Sequence, residues 1–578
     1  MRVFHFESTN KSDGKTIMLD SFLTKNVLVV GSGGREHAIV DALSRSRRVG
    51  KIFCAPGNAG IAAQAECVPL KETQIPELVD FAKEHGVDLT VVGPEVPLSA
   101  GIADAFEKAG LRIFGPSAAA ARIESSKDFA KRLMEKYDIP TAAFKTFDNY
   151  DDAIEYVSRH TFPIVLKYDG LAAGKGVVIP ETFSDAQKAL KDMLLDDKFG
   201  KGKVVVEEYL TGPEFSFMCF VNGKEVFPLA IAQDHKRAFE GDKGPNTGGM
   251  GAYSPVPVIT AEDEEYALEN IMKKTAAAMV AEGCPFKGLL YGGLMKTPSG
   301  IKVIEFNCRF GDPETEVVLP RLESDIYDIF SAIADGGMSV NAPEGTDSVE
   351  GARLSSAELM PEIKWSSEQT LGFVMASKGY PGSYEKGFAI SGLDEALADP
   401  SVRIYQMGTR EVTDPESGAK SLVTSGGRVL MVVASGETLR QARDKALAAV
   451  RKIHCDNLFY RSDIEHLVLA AGEYLFAEAC EQNAVVPVVG FGIPLLELFR
   501  LVVFVDVYGR LSPIVAAPYH IHAAAVEIVR KDFVKFVGRL MVENGLHACR
   551  GVGRGRICNQ CGHAVFLQKR IGRLAVSV

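Results

Sequence analysis

Asn26-Val27-Leu28-Val29-Val30-Gly31-Ser32-Gly33-Gly34 is the stretch of this sequence that decides the fold. Its apolar run predicts a short buried strand, and the run that follows the glycines is helical in character. A strand, a glycine-rich turn and a helix together open a doubly wound α/β unit. The G-x-G-x-x-G motif is incomplete, because position 36 is Glu. Two interpretations of Gly33 and Gly34 therefore remain open: binding of a substrate phosphate by backbone N–H groups, or a tight turn without a ligand.

Two further strands with similar loops follow along the chain. Asp88–Val92 ends in a Gly-Pro-Glu loop that carries Glu95, and Arg112–Phe114 ends in Gly-Pro-Ser. Open α/β sheets bind ligands at the carboxyl ends of their strands. We therefore expect a Rossmann-like domain over residues 26–125, with the three loops on one rim.

Length and composition limit the class of protein. At 578 residues the chain is long enough for several domains, and its 46% hydrophobic and 24% charged residues are ordinary for a soluble globular protein. The net charge of −11 argues against a nucleic-acid partner. The 10 cysteines show no disulfide framework, which favours a reducing compartment and hence the cytoplasm. Residues 1–25 lack the apolar run of a signal peptide, so we interpret them as an extension, with Met18 as an alternative start.

The sequence VIEFNCRFGDPE at residues 303–314 predicts a metal site on a strand. Side chains alternate along a strand, so Glu305, Asn307 and, if the strand extends that far, Arg309 share one face. A carboxylate and an amide oxygen suit a hard cation such as Mg²⁺, and a guanidinium suits an anion. This combination favours phosphoryl chemistry on a bound nucleotide.

Lysines and a small-residue loop predict where the phosphates of a nucleotide bind. Lys127 stands near the start of an amphipathic helix, and Lys167 ends an apolar strand, where an unpaired ammonium is unusual. The loop 170–176 follows, and contains Gly174, Lys175 and Gly176. It either covers the phosphates or is a simple β-hairpin turn.

Three acidic or glycine-rich segments have less decisive patterns. The Glu207–Leu210 segment, with Glu214 nearby, is either an adenosine-binding hinge or an edge strand with solvated acids. Residues 233–237 (QDHKR) either bind an acidic or amino substrate or form a solvated turn. Residues 241–251 (GDKGPNTGGMG) contain too much glycine for regular structure, so we expect a functional loop there.

The C-terminal half contains a further domain and a segment of different character. A linker is expected near residues 341–347, followed by a compact α/β domain within 345–465 and a tail of unknown structure at 466–578. The apolar run 484–507 is interrupted by prolines and charges, so no membrane span is predicted. A zinc site in the tail is a weak alternative, because only one pair has the usual C-x-x-C spacing; the candidates are His547, Cys549, Cys558, Cys561 and His563.

Nine strings that run in order from about Asn26 to Ile464 resemble the phosphoribosylamine–glycine ligase (glycinamide ribonucleotide synthetase) family of the ATP-grasp superfamily. They are VLVVGSGGREHA, APGNAG, VVGPEVPL, KYDGLAAGKGV, EEYLTGPEFS, QDHKR, GPNTGGMGAYSP, EFNCRFGDPET and GGRVL. The resemblance implies a Rossmann-like N-terminal domain, an ATP-grasp domain at 126–330 with a mobile lid at about 142–213, and a C-terminal α/β domain.

The resemblance also implies a reaction and a set of site residues. ATP would phosphorylate glycine to glycyl phosphate, and the amine of 5-phosphoribosylamine would attack it to give glycinamide ribonucleotide, ADP and phosphate. The metal would be Mg²⁺ or Mn²⁺, and the enzyme a monomer or weak dimer. By position, the resemblance assigns Glu305 and Asn307 to the metal, Lys127 and Lys167 to the ATP phosphates, and Glu207, Leu210 and Glu214 to the adenosine. From the chemistry of the residues we add Arg309 and Lys236 in catalysis; Gly174, Lys175 and Gly176 at ATP; Gly33, Gly34 and Glu95 at the substrates; and Asp234 and Asp312 as candidates for the glycine ammonium.

Two other functions and two departures from the family pattern remain. The chain is alternatively another ATP-grasp ligase or carboxylase of purine metabolism, or a nucleotide-binding protein that has lost its activity. Glu316 stands where the family usually has Gln. The tail lacks the sequence features of the synthetase or formyltransferase domains fused to this ligase in animals, so we do not expect a trifunctional protein.

Overall fold

The computed structural model describes residues 24–170, 176–196, 198, 200–336 and 354–464. Some predictions fall outside these residues: those on the N-terminal extension, on Gly174 and Lys175, on the linker near 341–347, and on the tail with its apolar run and its Cys/His group. Within the described residues, no helix has the length and apolar character needed to cross a membrane.

The first region is built around a parallel sheet. Its elements are β1 (Lys25–Gly31), α1 (Gly34–Ser44), β2 (Val49–Pro56), β3 (Glu66–Cys67), α2 (Ile75–Glu84), β4 (Leu89–Val92), α3 (Glu95–Ser99), α4 (Ile102–Lys108), β5 (Ile113–Phe114) and α5 (Ala118–Ser125). The five strands pair in parallel in the order β3-β2-β1-β4-β5. Strand β1 is central, and Val27 to Val30 are fully buried because helices and sheet exclude water from both faces. The predicted Rossmann-like sheet is confirmed.

A small antiparallel sheet with two helices follows. The elements are α6 (Lys127–Lys136), β6 (Phe144–Phe147), α7 (Tyr150–Val157), β7 (Ile164–Tyr168), β8 (Val177–Val178), α8 (Phe183–Leu194) and β9 (Val204–Glu208). The predicted helix start is correct, since the Ser126 hydroxyl accepts a hydrogen bond from Phe129 N at 3.1 Å. The strands pair in the order β6-β9-β7-β8. Their apolar side chains form a core of their own with α7 and α8.

The next region supplies the sheet that carries the predicted metal strand. Its elements are β10 (Glu214–Asn222), β11 (Glu225–Pro228), β12 (Gln233–Asp234), β13 (Arg237–Phe239), β14 (Lys243–Asn246), β15 (Gly251–Ser254), α9 (Ala261–Ala267), a π-helical turn (Leu268–Met272), α10 (Lys273–Ala281), β16 (Lys287–Thr297), β17 (Gly300–Asn307), α11 (Thr315–Val318) and α12 (Ile326–Asp335). An antiparallel sheet has the order β11-β10-β16-β17.

The expectation that residues 241–251 have no regular structure is wrong. Strand β14 lies within this segment and pairs with β13 as a hairpin, and β15 begins at Gly251. Gly241 and Gly249 lie in the connections on either side of β14 with φ values of +69° and +110°, and Gly244 lies within β14 with a φ value of +83°; such values favour glycine. Composition identified the turns and overlooked the short strands between them.

The last region completes a larger sheet. Its elements are α13 (Ser356–Leu359), β18 (Gln369–Ser377), β19 (Ala389–Ile390), α14 (Leu393–Ala396), β20 (Val402–Gln406), β21 (Thr409–Thr413), β22 (Lys420–Thr424), β23 (Arg428–Gly436), α15 (Leu439–Val450) and β24 (Leu458–Phe459). The main sheet has the order β12-β15-β18-β23-β20, with β24 beside β18. Strand β12 pairs with β15, and β15 pairs with β18, so the preceding region and this one share a sheet. The predicted α/β class is confirmed.

Candidate active site

Strand β17 carries the two predicted metal ligands, and its register fixes their neighbours. Glu305 lies opposite Gly293 of β16, and Asn307 lies opposite Tyr291. The register shifts between Gly293 and Leu294, so Ile304 has no partner on β16. The strand ends at Asn307. Arg309 therefore lies beyond the strand, and the alternation argument for placing it on the metal face does not reach it.

Glu305 and Asn307 fit a hard divalent cation by the chemistry of their donor atoms. Among the described residues, the Glu305 carboxylate makes no hydrogen bond or ion pair. The Asn307 amide is satisfied when its nitrogen donates to Glu124 Oε1 at 3.1 Å and to Phe306 O at 3.3 Å, so its oxygen is not used by these contacts. No group of three or more His, Cys, Asp or Glu in the described ranges is placed to hold a metal. A cation here therefore needs further oxygen ligands from a bound nucleotide or water.

The predicted phosphate lysines lie next to this strand. Lys167 Nζ donates to Ile304 O at 2.8 Å, and Lys127 Nζ donates to Gly170 O at 3.2 Å. Burial lowers the pKa of Lys127, although the Glu305 carboxylate acts in the opposite direction. Strands β7 and β8 pair as a hairpin, in which Tyr168 N donates to Gly176 O at 2.8 Å. Lys167 in β7 and Lys127 at the start of α6 are thus brought together by separate elements.

A buried carboxylate links two lysines at the base of the small sheet. Glu207 Oε2 is 3.1 Å from Lys167 Nζ and 2.8 Å from Lys131 Nζ. All three side chains are buried, and burial lowers the pKa of Lys131 to about 8. Glu207 Oε1 is buried without a hydrogen-bond partner among the described residues. Two ammonium groups on one carboxylate leave a net positive charge, which suits a nucleotide.

Three further predicted residues, Glu214, Asp234 and Lys236, line one small cleft. Glu305 and Ile304 form one side, and Glu214, Asp234 and Lys236 form another. Lys236 Nζ lies 2.8 Å from Asp234 Oδ1 and 3.3 Å from Glu214 Oε2. Burial lowers the pKa of Lys236, but the two carboxylates raise it more, so the pKa lies well above its ordinary value. Leu210 lies in the connection from β9 to β10, just before Glu214.

Arg309 bridges carboxylates of the N-terminal region. Its Nη2 lies 3.1 Å from Glu124 Oε1, and its Nε lies 3.5 Å from Glu95 Oε2. Burial raises the pKa of Glu95, but Arg309 and Arg35 lower it more, so the net shift is downward. Burial also raises the pKa of Glu124, and Arg309 offsets this only in part. The guanidinium is therefore partly neutralised before any substrate binds.

The glycine-rich turn and Asp312 meet at a second place. A side-chain carbon added at Gly33 would lie 3.6 Å from Asp312 Oδ2, so the two residues are neighbours. Asp312 Oδ1 pairs with Arg428 at 2.8 Å. Gly33 N donates to Glu36 Oε2 at 2.5 Å, so the Glu that interrupts the dinucleotide motif occupies one of the expected phosphate-binding N–H groups. Gly34 contacts Glu316, whose oxygens are buried and without partners in the described part of the chain.

Sequence reasoning missed three charged residues of this site. Lys131 looks like an ordinary helix lysine, Glu124 ends a short helix, and Glu314 lies in the GDPE string without a repeating pattern. Each reaches the site only through the packing of separate elements. The predicted residues form three neighbouring groups: one at Glu305, a second at Arg309, and a third at Gly33 and Asp312.

Comparisons with known proteins agree with this architecture. Models of phosphoribosylglycinamide synthetase match in order: its N domain at residues 25–124, its ATP-grasp (A) domain at 125–315 and its C domain at 370–466. The phosphoribosylamine–glycine ligase of Halalkalibacterium halodurans is 48% identical over 77% of this chain and 97% of that protein. That of Listeria monocytogenes is 51% identical over 76% of this chain and 99% of that protein.

Solved structures give the same result. The crystal structure of phosphoribosylamine–glycine ligase from Thermotoga maritima matches with a TM-score of 0.62 and 31% identity, over 76% of this chain and 99% of that one. A biotin carboxylase from Campylobacter jejuni, with a TM-score of 0.56 and 15% identity over 76% of this chain and 94% of that one, shares the fold alone. The three domain models match residues 25–315 and 370–466, and relatives near half identity match 76–77% of the chain, so the chain belongs to the phosphoribosylglycinamide synthetase family of ATP-grasp ligases.

Proposed function

We propose that this protein ligates glycine to 5-phosphoribosylamine with ATP, giving glycinamide ribonucleotide, ADP and phosphate in purine biosynthesis. The observation that carries the proposal is the match to relatives named phosphoribosylamine–glycine ligase, of which the chain covers 97% and 99% of the length. The placement of Lys127 and Lys167 beside Glu305 supports it, because this arrangement suits a nucleotide phosphate next to a metal.

The proposed chemistry activates the carboxylate of glycine. A carboxylate is a poor acyl donor, because its oxygen is a bad leaving group, and transfer of the γ-phosphoryl group supplies a better one. The amine of phosphoribosylamine then attacks the carbonyl carbon, forms the amide bond and displaces phosphate. The protein must neutralise phosphate charge and keep water from the labile acyl phosphate.

ATP is proposed to lie between the small antiparallel sheet and strand β17. Lys127 and Lys167 would contact phosphates, and the loop with Gly174, Lys175 and Gly176 would cover them. Glu207, Leu210 and Glu214 would hold the adenosine. Glu207 Oε1, buried and without a partner among the described residues, is an acceptor available to the nucleotide.

Glu305 and Asn307 would hold Mg²⁺ or Mn²⁺, which when bound neutralises phosphate charge and orients the γ-phosphoryl group. Arg309 is proposed to stabilise charge on the transferring phosphoryl group, and Lys236 to assist from the opposite side of the cleft. Gly33, Gly34, Glu95, Asp234 and Asp312 are proposed to bind glycine or phosphoribosylamine. Gly33, Gly34 and Glu95 belong to the N-terminal region, Asp234 lies in β12, and Asp312 follows β17.

We place the reaction in the cytoplasm, with small molecules as the only partners and a monomer or weak dimer as the active form. The described cysteines are free thiols, which is compatible with a reducing compartment.

The test is release of ADP by the full-length protein with defined substrates. We expect release to require glycine and phosphoribosylamine together, and to stop when a chelator removes divalent metal. Bicarbonate in place of glycine should give no release, which distinguishes the ligase from an ATP-grasp carboxylase. Tight ATP binding with no release under any of these conditions would instead indicate a binding protein without activity.

A further inference from the structure

Two hydroxyl groups lie on the same face of the sheet as the proposed metal ligands. Ser216 of β10 is opposite Gly293 of β16, and Gly293 is opposite Glu305 of β17. Tyr291 of β16 is opposite Asn307 of β17. Cross-strand partners share a face of the sheet. Because Gly293 has no side chain, the Glu305 side chain and the Tyr291 ring both lie close above its Cα, where an added side-chain carbon would be 3.3 Å from Glu305 Cγ and 3.4 Å from Tyr291 Cε1. Ser216, Tyr291 and Glu305 all line the same cleft.

Both hydroxyl groups contact one carboxyl group. Ser216 Oγ lies 2.7 Å and Tyr291 OH lies 2.8 Å from Glu314 Oε1, and the two hydroxyl oxygens are 2.9 Å apart. Glu314 is 3% exposed. When both hydroxyl hydrogens point to Glu314, the remaining lone pairs of Ser216 and Tyr291 can only accept hydrogen bonds. The two hydroxyl oxygens can therefore accept hydrogen bonds from a donor that enters the cleft.

Glu314 differs from the two aspartates that the sequence suggested for the glycine ammonium. Asp234 already pairs with Lys236 at 2.8 Å, and Asp312 pairs with Arg428 at 2.8 Å. Glu314 has hydroxyl groups as its hydrogen-bond partners and forms no ion pair within the described residues. Burial raises its pKa, and the nearby charge of Asp234 adds to this. A cation that enters the cleft would stabilise the charged form of this carboxyl group.

We propose that Ser216, Tyr291 and Glu314 bind the ammonium group of glycine, a role that rests on the ligase function proposed above. Glycine is short, so its ammonium site must lie close to the place where its carboxylate meets the γ-phosphoryl group. The backbones of Tyr291 and Asn307 are one interstrand spacing apart, about 4.8 Å, and the Tyr291 side chain lines the same cleft as Glu305, which satisfies this requirement. The ammonium group has three N–H donors for the two hydroxyl oxygens and the charge behind them.

The arrangement also explains which amine reacts. An ammonium group held against an ionised Glu314 keeps its proton and has no lone pair with which to attack an acyl phosphate. The amine of phosphoribosylamine, outside this contact, remains the nucleophile. Charge balance favours the arrangement, since Asp234, Glu214, Glu305 and Glu314 outnumber Lys236 around the cleft.

The test is the KM for glycine in Tyr291→Phe, Ser216→Ala and Glu314→Gln, measured at saturating ATP and phosphoribosylamine. Loss of a hydrogen bond to a charged group should raise this KM about tenfold or more. The Kd of ATP, measured without glycine, should stay unchanged. Matched controls are Tyr405→Phe and Ser377→Ala, which remove hydroxyl groups from buried side chains of the C-terminal sheet.

Each outcome decides the proposal. Tyr291→Phe preserves the shape of the side chain, so it remains informative if Glu314→Gln fails to fold, as judged by circular dichroism. An unchanged KM for glycine in an active Tyr291→Phe variant would overturn the ammonium site, as would a rise confined to the KM for phosphoribosylamine. A wild-type protein that shows no glycine-dependent ADP release would instead refute the underlying ligase function.

Discussion

Ion pairing decides which charged residues of the site are available to substrates. Asp234, Asp312 and Arg309 all have partners of opposite charge, whereas the Glu305 carboxylate makes no such contact with the described residues. A paired charge presents a weaker field to a ligand than an unpaired one in the same place. At the scale of single residues, Glu305 is therefore the strongest anionic candidate for a metal, and Arg309 must act while it remains bound to Glu124.

Replacement of Arg309 tests its proposed catalytic role. Arg309→Ala should lower kcat by about 10²-fold or more, because a charge that stabilises the transferring phosphoryl group is lost. The Kd of ATP should change little, since Lys127 and Lys167 remain. The measurements are steady-state kinetics and equilibrium ATP binding. Unchanged turnover would exclude the role.

A purely structural role for Arg309 must be separated from a catalytic one. Its removal leaves Glu124 buried without its cation, which costs about 3–5 kcal/mol of stability in comparable cases. Arg309→Lys retains the charge and should recover part of both stability and turnover. Arg112→Ala breaks another partly buried pair, with Asp335, and serves as the control. Equal loss of kcat in both alanine variants would point to destabilisation alone.

Contacts between elements join the N-terminal and C-terminal regions. Helix α1 meets strand β20, where the Gln406 backbone N–H donates to His37 Nδ1 at 2.8 Å. His37 also contacts the edge of the Tyr405 ring. Accepting this hydrogen bond requires an unprotonated Nδ1, and burial lowers the pKa of His37 to about 4. The contact between these elements therefore depends on a neutral histidine.

This dependence predicts a loss of stability in acid. The folded pKa of His37 is about 4, against 6.5 for the free side chain, so the unfolded state binds more protons between these values. The free energy of unfolding should thus fall by about 3 kcal/mol from this residue as pH decreases from 6.5 to 4. Urea unfolding across this range should show a shallower decline for His37→Gln than for the wild type. The exposed His160→Gln is the control; an identical decline in all three proteins would contradict the prediction.

The sequence anticipated most elements and missed features that depend on a partner strand. The predicted strands at residues 26–30, 88–92 and 112–114, and the apolar strand near Lys167, are all present, because their apolar runs form a pattern that is local in the sequence. The unpaired Ile304 and the end of β17 at Asn307 were not predicted, because both depend on the register with β16. The hairpin β13–β14 was not predicted, because the high glycine content of residues 241–251 was interpreted as a loop without regular structure.

Within the described residues, one sheet crosses the domain boundaries of the family. Strands β12 and β15 lie within the part matched by the ATP-grasp domain. They pair with each other, and β15 also pairs with β18 of the part matched by the C domain. Arg461, only 1% exposed, contacts Asp463 and Asp242, and Ile464 is fully buried. The described fold therefore uses the chain up to residue 464 as part of its core.

A shortened chain tests whether this core is sufficient. The C-domain match ends at residue 466, so a protein ended after His466 retains every described contact. We expect its ADP release and melting temperature to equal those of the full chain. A second truncation after Asn457 removes β24, Arg461 and Ile464 and should lower the melting temperature. Lower activity of the first truncation would assign a role to residues 467–578.

The sequence by itself determined the α/β class, the Rossmann-like opening, the strand that carries Glu305 and Asn307, and the family, since these follow from local periodicity and from motifs read in order. Only the tertiary structure decided which charges are paired, where β17 ends and which hydroxyl groups face Glu305. Glu124, Lys131 and Glu314 are far from their partners along the chain, and no local pattern identifies them. Their roles depend on distances of a few ångströms between separate elements, because ion pairing and burial are set by packing.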